Sequence, residues 1–189
     1  STSKAPSLAF GDESEYRRVM EVKRNGSEDL DASFSMRWDT GRLYLSVQVR
    51  DDVFFQESSG ADTWNGDGIQ LALHAFTPEP GNLDHWDYDV ALTKAGAASY
   101  RQMGPKGTVP GPAPGLSPRI ARDGNQVSYE LELPAAAMGL GAFRKGMGIG
   151  FSLVVNDNDG KGRKGYLRWG DGIGAGKDPS LYGLVLLEE

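Results

Sequence analysis

The sequence predicts an all-β protein, an antiparallel β-sandwich of two packed sheets in a jelly-roll-like arrangement. Three observations carry this prediction. Apolar and polar side chains alternate along most segments, short runs of Gly, Asn and Asp separate these segments, and only one stretch has the pattern of a helix. With 189 residues, the chain is expected to form a single domain over residues 1–189.

The predicted strands follow from an apolar period of two. In residues 43–50, for example, Leu43, Leu45, Val47 and Val49 share one face, and polar side chains share the other. The same alternation marks three further segments: 32–38, 68–76 and 126–134. Residues 148–157 are more uniformly apolar, which is typical of a strand inside a sheet. Two shorter strands, 166–170 and 181–189, complete the prediction.

Turns and loops are predicted from Gly, Pro, Asn and Asp. The sequence Asp39-Thr40-Gly41 is short enough to join two strands as a hairpin. The Gly/Pro-rich run at about 103–118 is interpreted as a long surface loop, because neither half of the chain has enough strands for its own sandwich. One short helix is expected from Pro134 to Leu140, with proline in its first turn and glycine near its end.

The composition excludes several classes of function. The chain has 26 acidic and 20 basic residues, a net charge of -6, which argues against nucleic acid and anionic membranes as partners. It has no cysteine, so disulfides and thiolate metal sites are excluded. We find no apolar run long enough to span a membrane. The first residues, STSKAPS, lack an initiator Met, and this favours an extracellular, secreted bacterial origin.

The segment TWNGDGIQ contains the clearest candidate binding residues. Trp64 offers a flat indole face, against which a pyranose ring can stack its axial C–H groups. Asp67 is expected nearby as an acceptor for sugar hydroxyls, and Gln70 follows on the polar face of the next strand. A second interpretation remains open, in which Trp64 packs over an edge of the sandwich.

A second aromatic segment is HWDYDV. Trp86 and Tyr88 share one face of a predicted strand, and His85, Asp87 and Asp89 share the other. Trp86 either borders the same cleft as Trp64 or points into the core. For Tyr88 we favour the core.

Acidic residues suggest a calcium ion without establishing one. Asp157 and Asp159 stand two apart before Gly160, as in part of a calcium loop, and Asp51 and Asp52 offer further oxygens. No acid stands where a full EF-hand loop has its bidentate Glu, so an EF-hand is excluded. A solvated hairpin turn without metal explains the same residues.

Catalysis has no support from a motif. His74 and His85 belong to no recognisable nucleophile, zinc or phosphate motif, and no pair of carboxylates is singled out as a glycosidase pair. We therefore expect a binding module and no enzyme.

Four segments in order resemble carbohydrate-binding module family 9. They are RWDTGRLYLSVQVRDDVF, WNGDGIQLAL, GFSLVVNDNDGKGRKG and DPSLYG, and the resemblance extends from about Asp29 to Leu187. It implies a non-catalytic β-sandwich, a structural calcium ion, and attachment to neighbouring domains of a larger polysaccharide-degrading or surface protein. The family's W-x-x-D motif matches Trp64 and Asp67, and the family's next acidic position falls at Gln70.

The resemblance also implies a second tryptophan two residues before the DPS motif, where this chain has Gly176. Trp169 or Trp86 is therefore expected to provide the second aromatic contact. If neither does, the module is a structural or interaction domain that has lost its sugar site. A related subgroup binds haem, and Met103 with His74 or His85 is a less favoured alternative of this kind. The favoured prediction is recognition of a glycan by stacking and hydroxyl hydrogen bonds.

Overall fold

The computed structural model describes residues 7–10, 15–19, 24–75, 84–113 and 115–188. In these residues the chain consists mainly of β-strands, joined by loops and a few short 3-10 helices. The strands are β1 (Ser7–Phe10), β2 (Tyr16–Arg18), β3 (Leu30–Trp38), β4 (Arg42–Asp51), β5 (Gly68–Ala75), β6 (Trp86–Thr93), β7 (Gly96–Met103), β8 (Gly111–Pro112), β9 (Arg119–Asp123), β10 (Gln126–Pro134), β11 (Gly148–Asp157), β12 (Gly165–Trp169) and β13 (Gly183–Leu186).

The strands form two antiparallel sheets, which confirms the predicted sandwich. The 5-stranded sheet has the order β1-β3-β4-β10-β9. The 8-stranded sheet has the order β2-β12-β11-β5-β6-β7-β8. Strand β13 pairs with the first half of β11, and β12 pairs with the second half of β11 on the same side. The Asp39 hairpin forms between β3 and β4, where the Asp39 carboxylate accepts hydrogen bonds from the amides of Gly41 and Arg42 at 2.7 and 2.8 Å.

The core lies between the sheets and is built from the apolar positions of the alternating strands. Leu43, Leu45, Val47 and Val49 on β4 are all buried there, as the period of two predicts. Tyr88 is also in this core, as expected. Burying each side chain of this size contributes roughly 1.5–3 kcal/mol, so the period-two pattern itself specifies which face of each strand turns inward.

The helical content is small. The predicted helix at Pro134 is a single 3-10 turn, Ala135–Met138, which ends at Gly139 in the left-handed conformation (φ 68°). A second 3-10 helix, Gly60–Asn65, lies between β4 and β5 and was not predicted. No helix among the described residues is long and apolar enough to cross a membrane.

The outer face of the 8-stranded sheet is partly covered by the chain that follows β12. A small apolar cluster holds this segment in place and consists of Ala72, Val154, Tyr166, Ile173 and Tyr182. The segment from Gly170 to Tyr182, here called the covering loop, therefore forms a raised wall on that face.

Candidate functional site

A cleft of about 280 Å³ lies on the outer face of the 8-stranded sheet, next to the covering loop. Trp64 forms one side, Gly174 and Lys177 of the covering loop form another, and strand side chains form the floor. This volume is just below the usual range for ligand sites, about 300–1,000 Å³, and suits one or two sugar rings. The lining residues are Trp64, Gln70, Gln102, Met103, Arg163, Gly174 and Lys177.

Trp64 is held at the rim of the cleft by its 3-10 helix. Its side chain is 37% exposed and belongs to neither buried cluster. The helix is fixed by three contacts of neighbouring residues: Gln56 Nε2 donates to Thr63 O at 3.0 Å, Asn158 Nδ2 to Asn65 O at 2.5 Å, and Gln102 Nε2 to Ala61 O at 2.7 Å. The indole is thus preorganised while part of its surface remains in contact with water.

A β-bulge brings two consecutive residues of β7 into the cleft. The register between β6 and β7 shifts between Asp87 and Tyr88, so that Asp87 pairs with Met103 and Tyr88 with Arg101. Gln102 is the extra residue. In a regular strand Gln102 and Met103 would point to opposite faces, whereas the bulge allows both to line the cleft.

The floor of the cleft is a connected network of amides around Asp89. Gln70 Nε2 donates to Asp89 Oδ1 at 2.9 Å, and Gln102 Nε2 donates to Asp89 Oδ2 at 2.6 Å. Asp89 is fully buried, and this burial raises the pKa of its carboxyl group to about 6, although the two amide hydrogen bonds act in the opposite direction. The network fixes both glutamine side chains in the floor.

Arg163 lies between two aromatic rings at the edge of the floor. Its Cζ atom is 5.8 Å from the centre of the Trp64 ring and 4.2 Å from that of Tyr166. Its hydrogen bonds to Gly174 O and Gln70 Oε1 are long, at 3.3 and 3.4 Å, and its Nε has no hydrogen-bond partner among the described residues. Burial lowers the pKa of Arg163 to about 10, so the side chain remains charged at neutral pH.

The covering loop approaches the sheet closely at Gly174. Its φ is +96°, and a Cβ atom there would lie 2.8 Å from the Tyr166 ring, so only glycine fits. Two residues further on, Gly176 is exposed, and a Cβ atom would meet no other atom within 4 Å. The loop therefore continues past the cleft at Gly176 but presents no side chain there. Lys177 contacts the buried carboxylate of Asp87.

Asp67 does not line the cleft, which corrects its predicted role as a direct acceptor for sugar hydroxyls. It is 2% exposed, and its two oxygens accept backbone hydrogen bonds from Asn158, at 2.7 Å, and from Phe55. Burial raises the pKa of Asp67, and the neighbouring Asp51 adds to this effect. Asp67 thus joins the loops that follow β4 and β11.

Trp86 and Trp169 also do not reach the cleft. Both pack against the core between the sheets. Trp169 lies in edge and tilted contact with Phe34 and Phe151, at centroid distances of 5.2 and 5.8 Å. This corrects the prediction that one of them is the second aromatic contact: each has the inward-facing parity of its strand, which the sequence pattern could not distinguish from the outward one.

The predicted calcium ligands Asp157 and Asp159 do meet, together with Asp29. One oxygen of each of the three carboxylates lies within 4.8 Å of the others. Lys164 Nζ is placed among them, 2.8 Å from Asp29, 3.3 Å from Asp157 and 2.8 Å from Asp159. Burial lowers the pKa of Lys164, but hydrogen bonds to Asp159 and Asp29 and the charge of Asp157 outweigh it and raise the pKa.

This arrangement does not fit an added calcium ion, because an ammonium group already stands where the three carboxylates converge. The other two predicted ligands lie outside the set. Asp51 is buried and accepts a hydrogen bond from the Val53 amide at 3.1 Å, and Asp52 is exposed. Burial raises the pKa of Asp51 to about 7.

The residues of the haem alternative, Met103, His74 and His85, differ in how far their side chains are exposed. Met103 is 39% exposed in the cleft, whereas His74 is 3% exposed with its Nδ1 2.6 Å from Asp84 O. His85 is half-buried, and its ring lies edge-on to Tyr182 at 6.1 Å.

Sequence reasoning missed three residues of the cleft: Gln102, Arg163 and Lys177. Arg163 lies three residues after Gly160 of the expected calcium loop, and Lys177 adjoins the DPS motif. The available signal was charge: both basic residues stand in Gly-rich loops, GKGRKG and GAGKDP, where no apolar pattern explains them.

Residues 11–189 match the family described as carbohydrate family 9 binding domain-like, and the chain belongs to this family. The family is one of carbohydrate-binding, non-catalytic modules. A comparison with curated protein sequences finds no significant match.

Solved structures of similar fold include a carbohydrate-binding module of family 9 from Caldicellulosiruptor kristjanssonii. In complex with glucose, it has a TM-score of 0.71 and 18% identity, covering 97% of this chain and 84% of that chain. In complex with cellotriose, the TM-score is 0.70 at 18% identity, with 97% and 83% covered. A protein from Bacteroides uniformis has a TM-score of 0.67 at 11% identity, with 97% and 87% covered.

Proposed function

We propose that this chain binds a glycan in the cleft between Trp64 and the covering loop. The observation that supports this most directly is the partly exposed indole of Trp64, fixed above a floor of hydrogen-bonding amides in a member of a carbohydrate-binding family. An apolar wall beside a few convergent polar groups is the usual composition of a small-ligand site.

Binding would combine stacking with polar contacts. One face of a sugar ring packs its C–H groups on the indole. The guanidinium group of Arg163 donates hydrogen bonds to sugar oxygens, and the amide oxygen of Gln102, whose Nε2 already donates to Ala61 O and Asp89, accepts from a sugar hydroxyl. The glucose and cellotriose found with the structures of similar fold make β-glucans a reasonable first class of ligands.

The experiment is a titration of the isolated domain by calorimetry against soluble oligosaccharides, together with pull-down on insoluble polysaccharides. Binding of at least one glycan, weakened in Trp64→Ala, is the expected result. The absence of binding to every glycan would favour the second candidate function, a structural or interaction domain. The bare Gly176 motivates that candidate, because Trp64 is the one aromatic side chain among the described residues that line the cleft.

We propose that Lys164 acts as an internal cation in place of a structural calcium ion. Its ammonium group balances the buried carboxylates of Asp29 and Asp157, which would otherwise be strongly destabilising. An extracellular setting and covalent attachment to neighbouring domains of a larger polysaccharide-active or surface protein stay predictions.

A further inference from the structure

The charged groups that line the cleft are all positive. Arg163 and Lys177 are its two charged lining residues, and no carboxylate is among the lining residues that the structure describes. The two nearest buried carboxylates, Asp87 and Asp89, are each 0% exposed beneath this surface. A ligand in the cleft therefore meets cations and amide groups, although the chain as a whole carries a charge of -6.

Arg163 is a buried cation that makes no direct ion pair among the described residues, and Asp89 is linked to it only through Gln70. It is 5% exposed, and within the described part of the chain no carboxylate lies within ion-pair distance of its guanidinium group. Its two terminal nitrogens each make one long hydrogen bond, which leaves one further N–H on each of them for a ligand. Because a buried charge is destabilising unless it is paired, an anion bound at this position would be stabilised strongly.

The cleft offers neutral acceptors but no anionic one among the residues that the structure describes. These acceptors are the amide oxygens of Gln70 and Gln102 and the carbonyl oxygen of Gly174, and those of Gln70 and Gly174 each accept one long hydrogen bond from Arg163. Neutral sugar hydroxyls both donate and accept hydrogen bonds, whereas a carboxylate accepts them and also carries a negative charge. A carboxylate would therefore supply the guanidinium group with the anionic partner that a neutral sugar lacks.

The position of Trp64 links this anion preference to a sugar ring. The guanidinium group of Arg163 lies 5.8 Å from the centre of the indole. Because the guanidinium group lies over the indole, a pyranose would stack on the part of the indole that remains exposed, and a substituent of its ring would then be next to the guanidinium fork. A carboxylate at C6 of that pyranose is the anionic group that this spacing accommodates, and Arg binds carboxylates through two parallel hydrogen bonds.

We propose that the preferred ligand of the cleft is an acidic glycan containing a uronate residue, whose ring stacks on Trp64 and whose carboxylate pairs with Arg163. Lys177 stands at the rim as well, but its charge is balanced by the buried carboxylate of Asp87. This inference rests on the proposed glycan-binding function and specifies the class of glycan.

The test compares three matched ligands by calorimetry: cellotriose, the same trisaccharide oxidised to carboxylates at C6, and the methyl ester of the oxidised form. The ester matches the acid in size but carries no charge. We expect the acid to bind about tenfold more tightly than the ester at low salt, as one charge-assisted hydrogen-bonded pair provides. This preference should shrink as NaCl is raised from about 0.05 to 0.5 M, because salt screens the ion pair.

The variant that tests the residue is Arg163→Gln, with Arg122→Gln as its matched control. Arg122 also stacks on an aromatic ring, 4.8 Å from the centre of Phe54, but lies outside the cleft. Arg163→Gln should remove the preference for the acid, and Arg122→Gln should retain it. If Arg163→Gln does not fold, the salt series still tests whether the preference is ionic, and Lys177→Gln tests the partner: a preference lost in Lys177→Gln would overturn the role of Arg163.

The outcomes separate this inference from the proposed function. Equal or weaker binding of the acid relative to the ester would overturn the acidic-glycan inference while glycan binding stands. A preference that survives in Arg163→Gln would overturn the role of that residue. If none of the three ligands binds, and no other acidic or neutral glycan does, the proposed function itself fails.

Discussion

Replacing Trp64 with alanine should abolish most glycan binding and leave the fold nearly unchanged. A tryptophan buried in a core contributes about 3–5 kcal/mol when it is truncated to alanine. Trp64 is 37% exposed and outside both buried clusters, so we expect its removal to cost about 1 kcal/mol. For a chain of this length, that lowers the melting temperature Tm by roughly 2–4 °C. As the single aromatic wall of the cleft, the same side chain should contribute about 2 kcal/mol to binding, or roughly 30-fold in affinity.

The assay is calorimetric titration with the best glycan of the screen, beside a thermal melt of each variant. Trp64→Phe keeps a smaller flat face and should lose only part of the affinity. Phe54→Ala is the control for binding, because Phe54 also lies under an arginine but outside the cleft; since Phe54 packs against the core, its loss should lower the Tm more than Trp64→Ala does. Affinity that is unchanged in Trp64→Ala would refute the stacking role. A fall in Tm beyond about 10 °C would instead identify Trp64 as a residue of the core.

Three further predictions concern the covering loop, the internal cation and the buried acids. Gly176→Trp should raise glycan affinity about fivefold by adding a second stacking face, since the Cβ position of Gly176 is open. Titration should show no gain in affinity for the control Gly141→Trp, because the Cβ position of Gly141 is equally open but lies outside the cleft. Lys164→Ala should destabilise the fold by roughly 3–5 kcal/mol, and calcium should then raise the Tm of this variant. EDTA should leave the Tm of the unaltered protein unchanged. If EDTA lowers the Tm of the unaltered protein, the role of Lys164 is contradicted. Burial raises the pKa of Asp89 to about 6 and that of Asp51 to about 7. The protonated carboxyl groups therefore stabilise the fold fully below the unfolded pKa near 3.9, and this stabilisation is lost as the pH rises through about 6–7. The Tm should be higher at pH 5 than at pH 8, and the opposite trend would show that these carboxyl groups are ionised in the fold.

The fold was predictable from the sequence because local and global requirements agree along the strands. On β4 the four apolar residues that alternate with polar ones are the four that face the core. The Asp39 hairpin was predictable for the same reason, since the side chain of the turn satisfies its own backbone. The 3-10 helix that carries Trp64 was not predictable, because its Asn, Asp and Gly residues are equally typical of a turn.

The site was predictable only in part. Trp64 was predictable because it is a large apolar side chain in a turn-like segment, and Gln70 because it is a polar residue of a mostly apolar strand. Trp169 has the same composition signal as Trp64, but strand parity alone does not say which face is inward. The placement of Gln102 depends on a bulge, which leaves no mark in the apolar pattern.

Contacts between distant segments account for the remaining differences. Lys164 meets Asp29 across 135 positions of the sequence, so the ammonium group among the expected calcium ligands was not visible locally. Arg163 precedes Lys164 in the segment NDNDGKGRKG, and nothing in that segment indicates that Arg163 lines the cleft. Its place beside Trp64 follows from the hydrogen bond of its amide to Asn65 Oδ1, at 3.3 Å, which joins the two loops.

The most direct test of glycan binding in this cleft is a calorimetric titration of the unaltered domain and of Trp64→Ala against neutral and uronate-containing oligosaccharides. We predict that the unaltered domain binds at least one of them and that Trp64→Ala, still folded by its thermal melt, binds it roughly 30-fold more weakly. Equal affinity in both proteins, or no binding by the unaltered domain to any glycan, would contradict the assignment of this cleft as a sugar site.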